Sequence, residues 1–200
     1  MMKLYDYCAS GNGYKARLLL SWLGEAHEYI EINIHEGETH TPEFLAMNPA
    51  GQIPVLILED GRCLAESNAI LFYLGLGSSY LPPDAFTQAE ILRWMFFEQY
   101  KHEPAIAVAR FITVYAPKRK KELPALIKRG YAALDIMETH LSTRDYFVGD
   151  GLTIADISLY GYTHVATEGG FDMKPYKFIK KWLKRVKDHP DYVSIKKPPK

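Results

Sequence analysis

The chain has 200 residues, 48% of them hydrophobic, a length and composition that allow one or two globular domains with a buried core. Its 24 Lys and Arg balance its 24 Asp and Glu, which argues against nucleic acid or an anionic membrane as a partner, and no apolar run approaches the roughly 20 residues that span a bilayer. Two cysteines, Cys8 and Cys63, exclude a disulfide scaffold and a Cys-rich zinc site, so we expect a cytoplasmic protein without a metal.

The first half of the chain alternates between strand and helix patterns. Residues 3–7 alternate as a short strand, and Gly11-Asn12-Gly13 predicts a turn before a helix over residues 14–24. Residues 27–34 alternate again, which predicts a second strand. Strand, helix and strand in this order predict a βαβ unit.

A short helix and a hairpin continue this half. Thr41 precedes Pro42 and an acidic residue, the pattern of an N-cap followed by a first helical turn. Asp60-Gly61 lies between the apolar segments VLILE and RCLAE and predicts a tight hairpin, with Cys63 buried in it. A helix follows over residues 66–75. The hairpin completes a mixed four-stranded sheet, and residues 1–76 are expected to form one α/β domain.

The second half shows no strand pattern. Residues 77–85 form a Pro-rich linker, and Thr87-Gln-Ala-Glu90 matches a capping box that starts a long helix. Further helices are predicted over residues 118–141, 153–166 and 175–188. Thr153 and Asp156 form another capping box, which we interpret as purely structural. We therefore predict an all-helical domain over residues 86–200, in which the final KKPPK frays.

One nucleotide-binding motif is rejected. Gly11, Gly13 and Ala16 match the G-x-G-x-x-A fingerprint between a strand and a helix, and Glu31 stands near the end of the next strand. A doubly wound dinucleotide fold needs several further parallel strands. Here a tight hairpin and then helices follow, so the fingerprint is not supported.

Two other motifs are candidates for binding. In NPAGQIPVL, Pro49 and Pro54 bracket a loop that enters a strand, and a rigid turn alone would explain them. A cis Pro54 would instead turn the backbone N–H and C=O of Ile53 outward, where they can pair with an extended peptide. Ser67 follows Glu66 at the start of a helix, where an N-cap is the simplest interpretation and carboxylate binding is the functional one.

Taken together, NPAGQIPVL, ESNAI and GDGLTIADI, in this order and spacing, resemble the cytosolic glutathione transferase family over nearly the whole chain. The resemblance implies a thioredoxin-like domain followed by a helical bundle. It also implies glutathione as co-substrate, a small hydrophobic electrophile in the cleft between the domains, a homodimer and a role such as detoxification.

The resemblance assigns the glutathione contacts unevenly. It implies that the backbone of Ile53, before a cis Pro54, pairs with the cysteinyl part of glutathione. It implies that Ser67, assisted by Glu66, holds the γ-glutamyl end. Gln52 and His40 are placed near the glycine carboxylate, although a surface histidine is the simpler interpretation of His40.

The catalytic position has several candidates. SGNGYKARLLL resembles bacterial, theta-like transferases, in which a hydroxyl at the position of Ser10 contacts the sulfur, and a related class adds an Asn that matches Asn12. A donor aimed at the sulfur favours the thiolate, which is the nucleophile. Tyr5, Tyr7 and Cys8 lie in the same stretch, but alternation favours packing for the tyrosines and a strand-end role for Cys8.

The first long helix of the second half supplies the candidate electrophile contacts Tyr100, Pro104 and Arg110, and Tyr115 lies just beyond it. Core or dimer packing is the simpler interpretation for Trp94, Phe96 and Phe97. Two other functions remain open: glutathione-dependent reduction of disulfides, and glutathione binding without catalysis.

Overall fold

The computed structural model describes residues 1–197 and shows two compact units. Among the described residues, the first comprises Met1–Ser78 together with residues 191–197, and the second comprises Ser79–Pro190. The sequence-based division placed all of residues 86–200 in the helical domain, whereas residues 191–197 belong to the first unit. Of the KKPPK tail that was expected to fray, residues 198–200 lie outside the described residues.

The first unit is built on a mixed four-stranded sheet, as the sequence predicts. Its strands are β1 (Met2–Asp6), β2 (His27–Glu31), β3 (Val55–Ile57) and β4 (Cys63–Ala65), in the order β2-β1-β3-β4. Strand β1 pairs parallel with β2 and antiparallel with β3, which pairs antiparallel with β4. The hairpin turn at Gly61 has a φ of 85°, a backbone conformation that favours glycine.

Helices cover both faces of this sheet. Helix α1 (Gly11–Leu23) and helix α3 (Ser67–Gly75) pack on one face, and helix α2 (Pro42–Met47) packs on the other. The alternation within the strands explains this division, because Leu4 and Leu56 face α1 and α3 whereas Val55 faces Phe44 of α2. The predicted N-cap of α2 is confirmed, since Thr41 Oγ1 accepts from Phe44 N at 3.2 Å.

The described residues of the second unit form helices and connecting loops, without a strand. It contains α4 (Ala85–Phe97), α5 (Glu103–Tyr115), α6 (Leu123–Leu141), α7 (Ile154–Thr163) and α8 (Lys177–Lys187). A π-helical turn, Glu98–His102, joins α4 to α5 without a break in the helical path. This wide turn ends two residues before Pro104, which has no N–H to donate into a regular helix.

Two helix starts differ from the sequence prediction. Asp84, and not the Thr87 capping box, caps α4, because its carboxylate accepts from Thr87 N at 2.8 Å. The segment Pro117–Glu122 forms a 3-10 helix, so α6 begins only at Leu123. No helix among the described residues is long and apolar enough to cross a membrane.

The predicted capping box of α7 is present and is fully buried. The carboxylate of Asp156 accepts from the backbone N–H of Thr153 at 2.9 Å and of Phe147 at 3.2 Å. It also accepts from Trp182 Nε1 at 2.9 Å, which ties α8 to the start of α7. Burial raises the pKa of Asp156, while these donors act to lower it.

Candidate functional site

The pairing register of the first unit brings the candidate glutathione motifs to one edge of the sheet. Tyr5 of β1 lies opposite Val55 of β3, and Val55 lies opposite Ala65 of β4. The end of β1, the start of β3 and the end of β4 therefore lie at the same edge. The segments that carry Ser10, Pro54 and Ser67 all extend from that edge.

Ser10 is the N-cap of α1. Its Oγ accepts a hydrogen bond from Gly13 N at 3.4 Å, and its own backbone is extended. The prediction that Gly11-Asn12-Gly13 forms a turn and that the helix begins at Tyr14 is wrong, because these residues are the first turn of α1. Ser10 and Asn12 consequently lie at a helix N-terminus, where the partial positive charge favours an anion.

Asn12 contacts two polar side chains. Its Oδ1 accepts from Lys15 Nζ at 2.9 Å and from Ser67 Oγ at 3.4 Å, and Lys15 Nζ lies 3.4 Å from Ser67 Oγ. Lys15 is fully buried. Sequence reasoning missed this lysine, because Asn12 was assigned to a turn and the two residues share a helix only in the structure.

The loop before β3 is ordered by its own side chains. The Ile53–Pro54 peptide bond is cis. Asn48 Nδ2 donates to Gln52 O at 2.8 Å, and Thr39 Oγ1 lies 2.9 Å from His40 Nδ1. His40 borders this loop, because a Cβ on the neighbouring Gly51 would lie 3.2 Å from His40 Nε2.

The motif after β4 starts α3 in an unusual conformation. Ser67 is the first residue of the helix and Glu66 is its N-cap, so the predicted N-cap role of Ser67 is wrong. Glu66 has a φ of 68°, and it is the one non-glycine residue with a positive φ among the described residues. Such backbone strain is found most often at binding and catalytic sites.

A buried ion pair supports the loop between β1 and α1. Arg17 Nε lies 3.0 Å from Asp6 Oδ2, and both side chains are excluded from solvent. Asp6 Oδ1 accepts from Tyr7 N at 2.7 Å, and the guanidinium of Arg17 donates to Cys8 O. Burial raises the pKa of Asp6 to about 7, although the nearby Arg17 lowers it. The pair thus fixes the backbone that leads to Ser10.

The other residues considered for the sulfur contact, Tyr5, Tyr7 and Cys8, have packing or hydrogen-bond partners elsewhere. Tyr5 packs with the cluster around Phe44, and the ring of Tyr7 meets His35 edge-on. The thiol of Cys8 donates to Ile195 O at 3.3 Å, and burial raises its pKa, which disfavours a reactive thiolate. Cys63 is exposed, so the expectation that the hairpin buries it is wrong. Its position at the start of the three-residue edge strand β4 explains this exposure.

The four candidate electrophile contacts all lie along the continuous π and α5 helical segment of the second unit. Tyr100 is 76% exposed on the π turn, Pro104 lies in the first turn of α5, and Tyr115 ends that helix. Arg110 is buried and its Nε lies 2.7 Å from Glu168 Oε2. Its charge is therefore balanced within the unit, which weakens the case for a direct anion contact.

No group of three or more His, Cys, Asp or Glu side chains within residues 1–197 is arranged to hold a metal ion.

Comparison with known proteins identifies both halves of the chain. The family model for the glutathione S-transferase N-terminal domain matches residues 1–75, and the model for the C-terminal domain matches residues 87–190. A crystal structure of a glutathione S-transferase from Pseudomonas fluorescens Pf-5 is 52% identical, with a TM-score of 0.95 over 97% of this chain and 98% of that one.

Two more distant matches are to a glutathione complex and to an elongation factor. Ure2p in complex with glutathione is 27% identical, with a TM-score of 0.86 over 95% of this chain and 90% of that one. Elongation factor 1-gamma of Artemia salina is 32% identical over 90% of this chain. This chain covers only 43% of that elongation factor.

Proposed function

The chain belongs to the glutathione S-transferase family, and we propose that it holds glutathione as a thiolate and transfers it to a small hydrophobic electrophile. The observation that carries this proposal is the convergence of the α1 N-terminus, the cis Ile53–Pro54 bond and the strained Glu66–Ser67 start of α3 at one sheet edge. These are three features that an extended, anionic tripeptide requires: a thiolate site, a backbone edge and a carboxylate site.

Each end of glutathione has a proposed partner. The backbone of Ile53 pairs with the cysteinyl residue, in the manner of an added strand. Ser67 and the N-terminus of α3 bind the γ-glutamyl carboxylate, and Glu66 accepts from the γ-glutamyl ammonium. Gln52 and His40 border the loop at the other end and bind the glycine carboxylate.

The reaction needs no covalent bond to the protein. The thiol loses its proton to solvent, and the resulting thiolate forms a carbon–sulfur bond with the electrophile while a leaving group departs. Ser10, Asn12 and the N-terminus of α1 contribute donors and positive potential that favour the charged sulfur. Binding both reactants then supplies the effective concentration.

The proposal is tested by the ultraviolet thiolate band of bound glutathione, recorded across pH. A thiol pKa well below the ~8.5 of a cysteine thiol supports it, and a bound thiol that stays protonated at neutral pH contradicts it. We expect one of the two variants Ser10→Ala and Asn12→Ala to lose about 10- to 1000-fold in kcat, and that variant identifies the group that contacts the sulfur. Full activity in both would transfer the role to backbone donors.

For the electrophile we propose contacts from Tyr100, Pro104 and Tyr115, and not from Arg110, whose charge is paired with Glu168. Variants at Tyr100 and Tyr115 should change KM for the electrophile and leave the thiolate band unchanged. Arg110 serves as a contrast, since its ion pair with Glu168 predicts loss of stability rather than a selective change in KM. If all variants alter both properties equally, the assignment of an electrophile pocket fails.

We also propose a homodimer. Phe86 and Phe96 expose 76% and 60% of their surface along α4. Large exposed aromatic side chains on one helix are typical of interfaces. A monomer in sedimentation at micromolar concentration would contradict this proposal.

Glutathione binding without catalysis is the second candidate, and the match to an elongation factor favours it. This candidate predicts saturable glutathione binding with an unperturbed thiol pKa and no turnover of aryl halides. Disulfide reduction would instead appear as a preference for small disulfides over aryl halides in the same assay.

A further inference from the structure

Lys15 is a buried cation within the candidate glutathione site. Its side chain is fully excluded from solvent, and its ammonium lies 2.9 Å from Asn12 Oδ1 and 3.4 Å from Ser67 Oγ. Burial of an ammonium costs free energy unless polar groups surround it, so a lysine at this position requires a compensating role. Two of its partners, Asn12 and Ser67, are residues that the proposed function uses.

The chemistry of these partners fixes which way the side chain of Asn12 faces. A carboxamide has an oxygen that only accepts and a nitrogen that only donates, and the two ends have nearly the same shape. An ammonium can only donate, so Lys15 must face the oxygen of Asn12. The Ser67 hydroxyl donates to the same oxygen at 3.4 Å. The Nδ2 end of Asn12, with its two N–H groups, is therefore turned away from Lys15 and Ser67.

We propose that Lys15 is a positioning residue that holds the carboxamide of Asn12 so that its Nδ2 donates to the sulfur of bound glutathione. This inference rests on the proposed function and selects Asn12 as the sulfur contact. Ser10 then acts chiefly as the cap of α1, since its Oγ already accepts from Gly13 N. The ammonium adds a positive charge in a buried environment, which favours a nearby thiolate further.

The test compares the thiol pKa of bound glutathione and the steady-state kinetics in the full-length chain. Lys15→Met keeps the length and apolar stem but loses all three donors. We expect kcat/KM to fall about tenfold through kcat and the bound thiol pKa to rise by about one unit. Lys15→Arg keeps the charge and the donors and should restore most of the activity.

Asn12→Asp separates the donor role from a purely structural one. The carboxylate still accepts from Lys15, so the variant should unfold at the temperature of the wild type or above it. It has no N–H to offer and repels a thiolate, so the bound thiol pKa should rise further than in Lys15→Met. In Asn12→Ala, the added Lys15→Met change should cost much less than it does alone, because the two residues act through one hydrogen bond.

Lys3→Met is the matched control. Lys3 lies in the same unit, on β1, and its Nζ lies 3.1 Å from Glu28 at an exposed position. This variant removes a lysine without contact to Asn12 and should leave the thiol pKa unchanged.

The possible outcomes are distinguishable. A wild-type protein without a depressed thiol pKa overturns the proposed function, and this inference with it. A depressed wild-type thiol pKa that persists in Lys15→Met or in Asn12→Asp overturns this inference and leaves the proposed function standing. If Lys15→Met does not fold, Lys15→Arg and Asn12→Asp still decide, because an Asn12→Asp variant with a wild-type thiolate excludes the Asn12 donor.

Discussion

Gly13 is expected to be irreplaceable because a buried carboxylate occupies the space of its missing side chain. A Cβ built on Gly13 would lie 1.5 Å from Asp6 Oδ1 and 2.0 Å from Asp6 Cγ. Carbon and oxygen atoms in contact are normally separated by about 3.5 Å, so the carboxylate would have to move by about 2 Å. Such a movement would break the 3.0 Å ion pair between Asp6 and Arg17, which is buried on both sides.

The cost of Gly13→Ala follows from two opposing effects. Breaking a buried ion pair costs about 3–5 kcal/mol. Alanine is a better helix former than glycine by about 1 kcal/mol, which offsets part of that cost. The net loss of unfolding free energy should therefore be about 2–4 kcal/mol, or a fall in Tm of very roughly 5–15 °C for a chain of this size.

Thermal and urea unfolding measure this loss, with Gly151→Ala as the matched control. A Cβ on Gly151 meets no atom within 4 Å, so that variant should change the unfolding free energy by less than about 0.5 kcal/mol. In an Asp6→Ala background, the Gly13→Ala change should cost much less than in the wild type, because the clash is gone. Equal stability of Gly13→Ala and Gly151→Ala would refute this reasoning.

Three further predictions concern buried or strained groups. Asp156→Asn should lower the unfolding free energy, measured with urea, by about 3 kcal/mol. The two carboxylate oxygens of Asp156 accept from four donors, and the amide NH₂ of asparagine would replace one of those oxygens. A loss of less than about 1 kcal/mol would contradict this prediction. Glu66→Gly should raise that free energy by about 1 kcal/mol by removing the strain of a φ of 68°, while it weakens glutathione binding measured by titration; a destabilised variant would show that the strain is not local. Burial raises the pKa of Asp6 to about 7, above its ordinary ~3.9, so the folded state binds this proton more tightly than the unfolded state. Its contribution to stability is fully present below about pH 4 and is lost as the pH rises to about 7, with Arg17 and Glu31 as the neighbouring charges. As the pH rises from about 4 to about 7, the urea midpoint of the wild type should fall relative to that of Asp6→Asn. If the two pH profiles are parallel, Asp6 is not the group that titrates.

The sheet and its site could be predicted because local patterns determine both. The alternation of residues 3–7 and 27–34, and the Asp60-Gly61 turn, are short-range signals that survive without knowledge of the tertiary structure. The candidate binding segments follow or precede strands. Once the strand order is known, their common location at one sheet edge follows from the antiparallel pairing of β3 with both β1 and β4.

The start of α1 could not be predicted from propensity. Gly11 and Gly13 are poor helix formers, so the local signal is that of a turn. The reason for Gly13 lies in Asp6, whose carboxylate fills the space beside it, and this contact depends on the tertiary structure. The same limit applies to Ser67, where the strained backbone of Glu66 moves the cap by one residue.

Lys15 was missed because a hydrophobic pattern treats every lysine as a surface residue. In the sequence YKARLLL, the two charged residues read as the solvent side of an amphipathic helix, yet Lys15 and Arg17 are 0% and 2% exposed. Their burial is possible because each faces a specific acceptor, Asn12 for Lys15 and Asp6 for Arg17. A sequence does not show such pairs unless the fold that joins them is already known.

The placement of residues 191–197 in the first unit could not be predicted from the sequence. Three residues of α1 bind it, and all of them donate to backbone carbonyl groups: Tyr14 Oη to Val193 O at 2.7 Å, Arg17 Nη1 to Ile195 O at 3.4 Å and Ser21 Oγ to Asp191 O at 2.8 Å. Backbone acceptors are the same at every position, so the bound segment carries no recognisable motif. Only the donors are specific, and their spacing of three and four residues places them on one face of α1. Arg17 therefore couples two structures, because the guanidinium that binds Ile195 O also binds Cys8 O in the loop before Ser10.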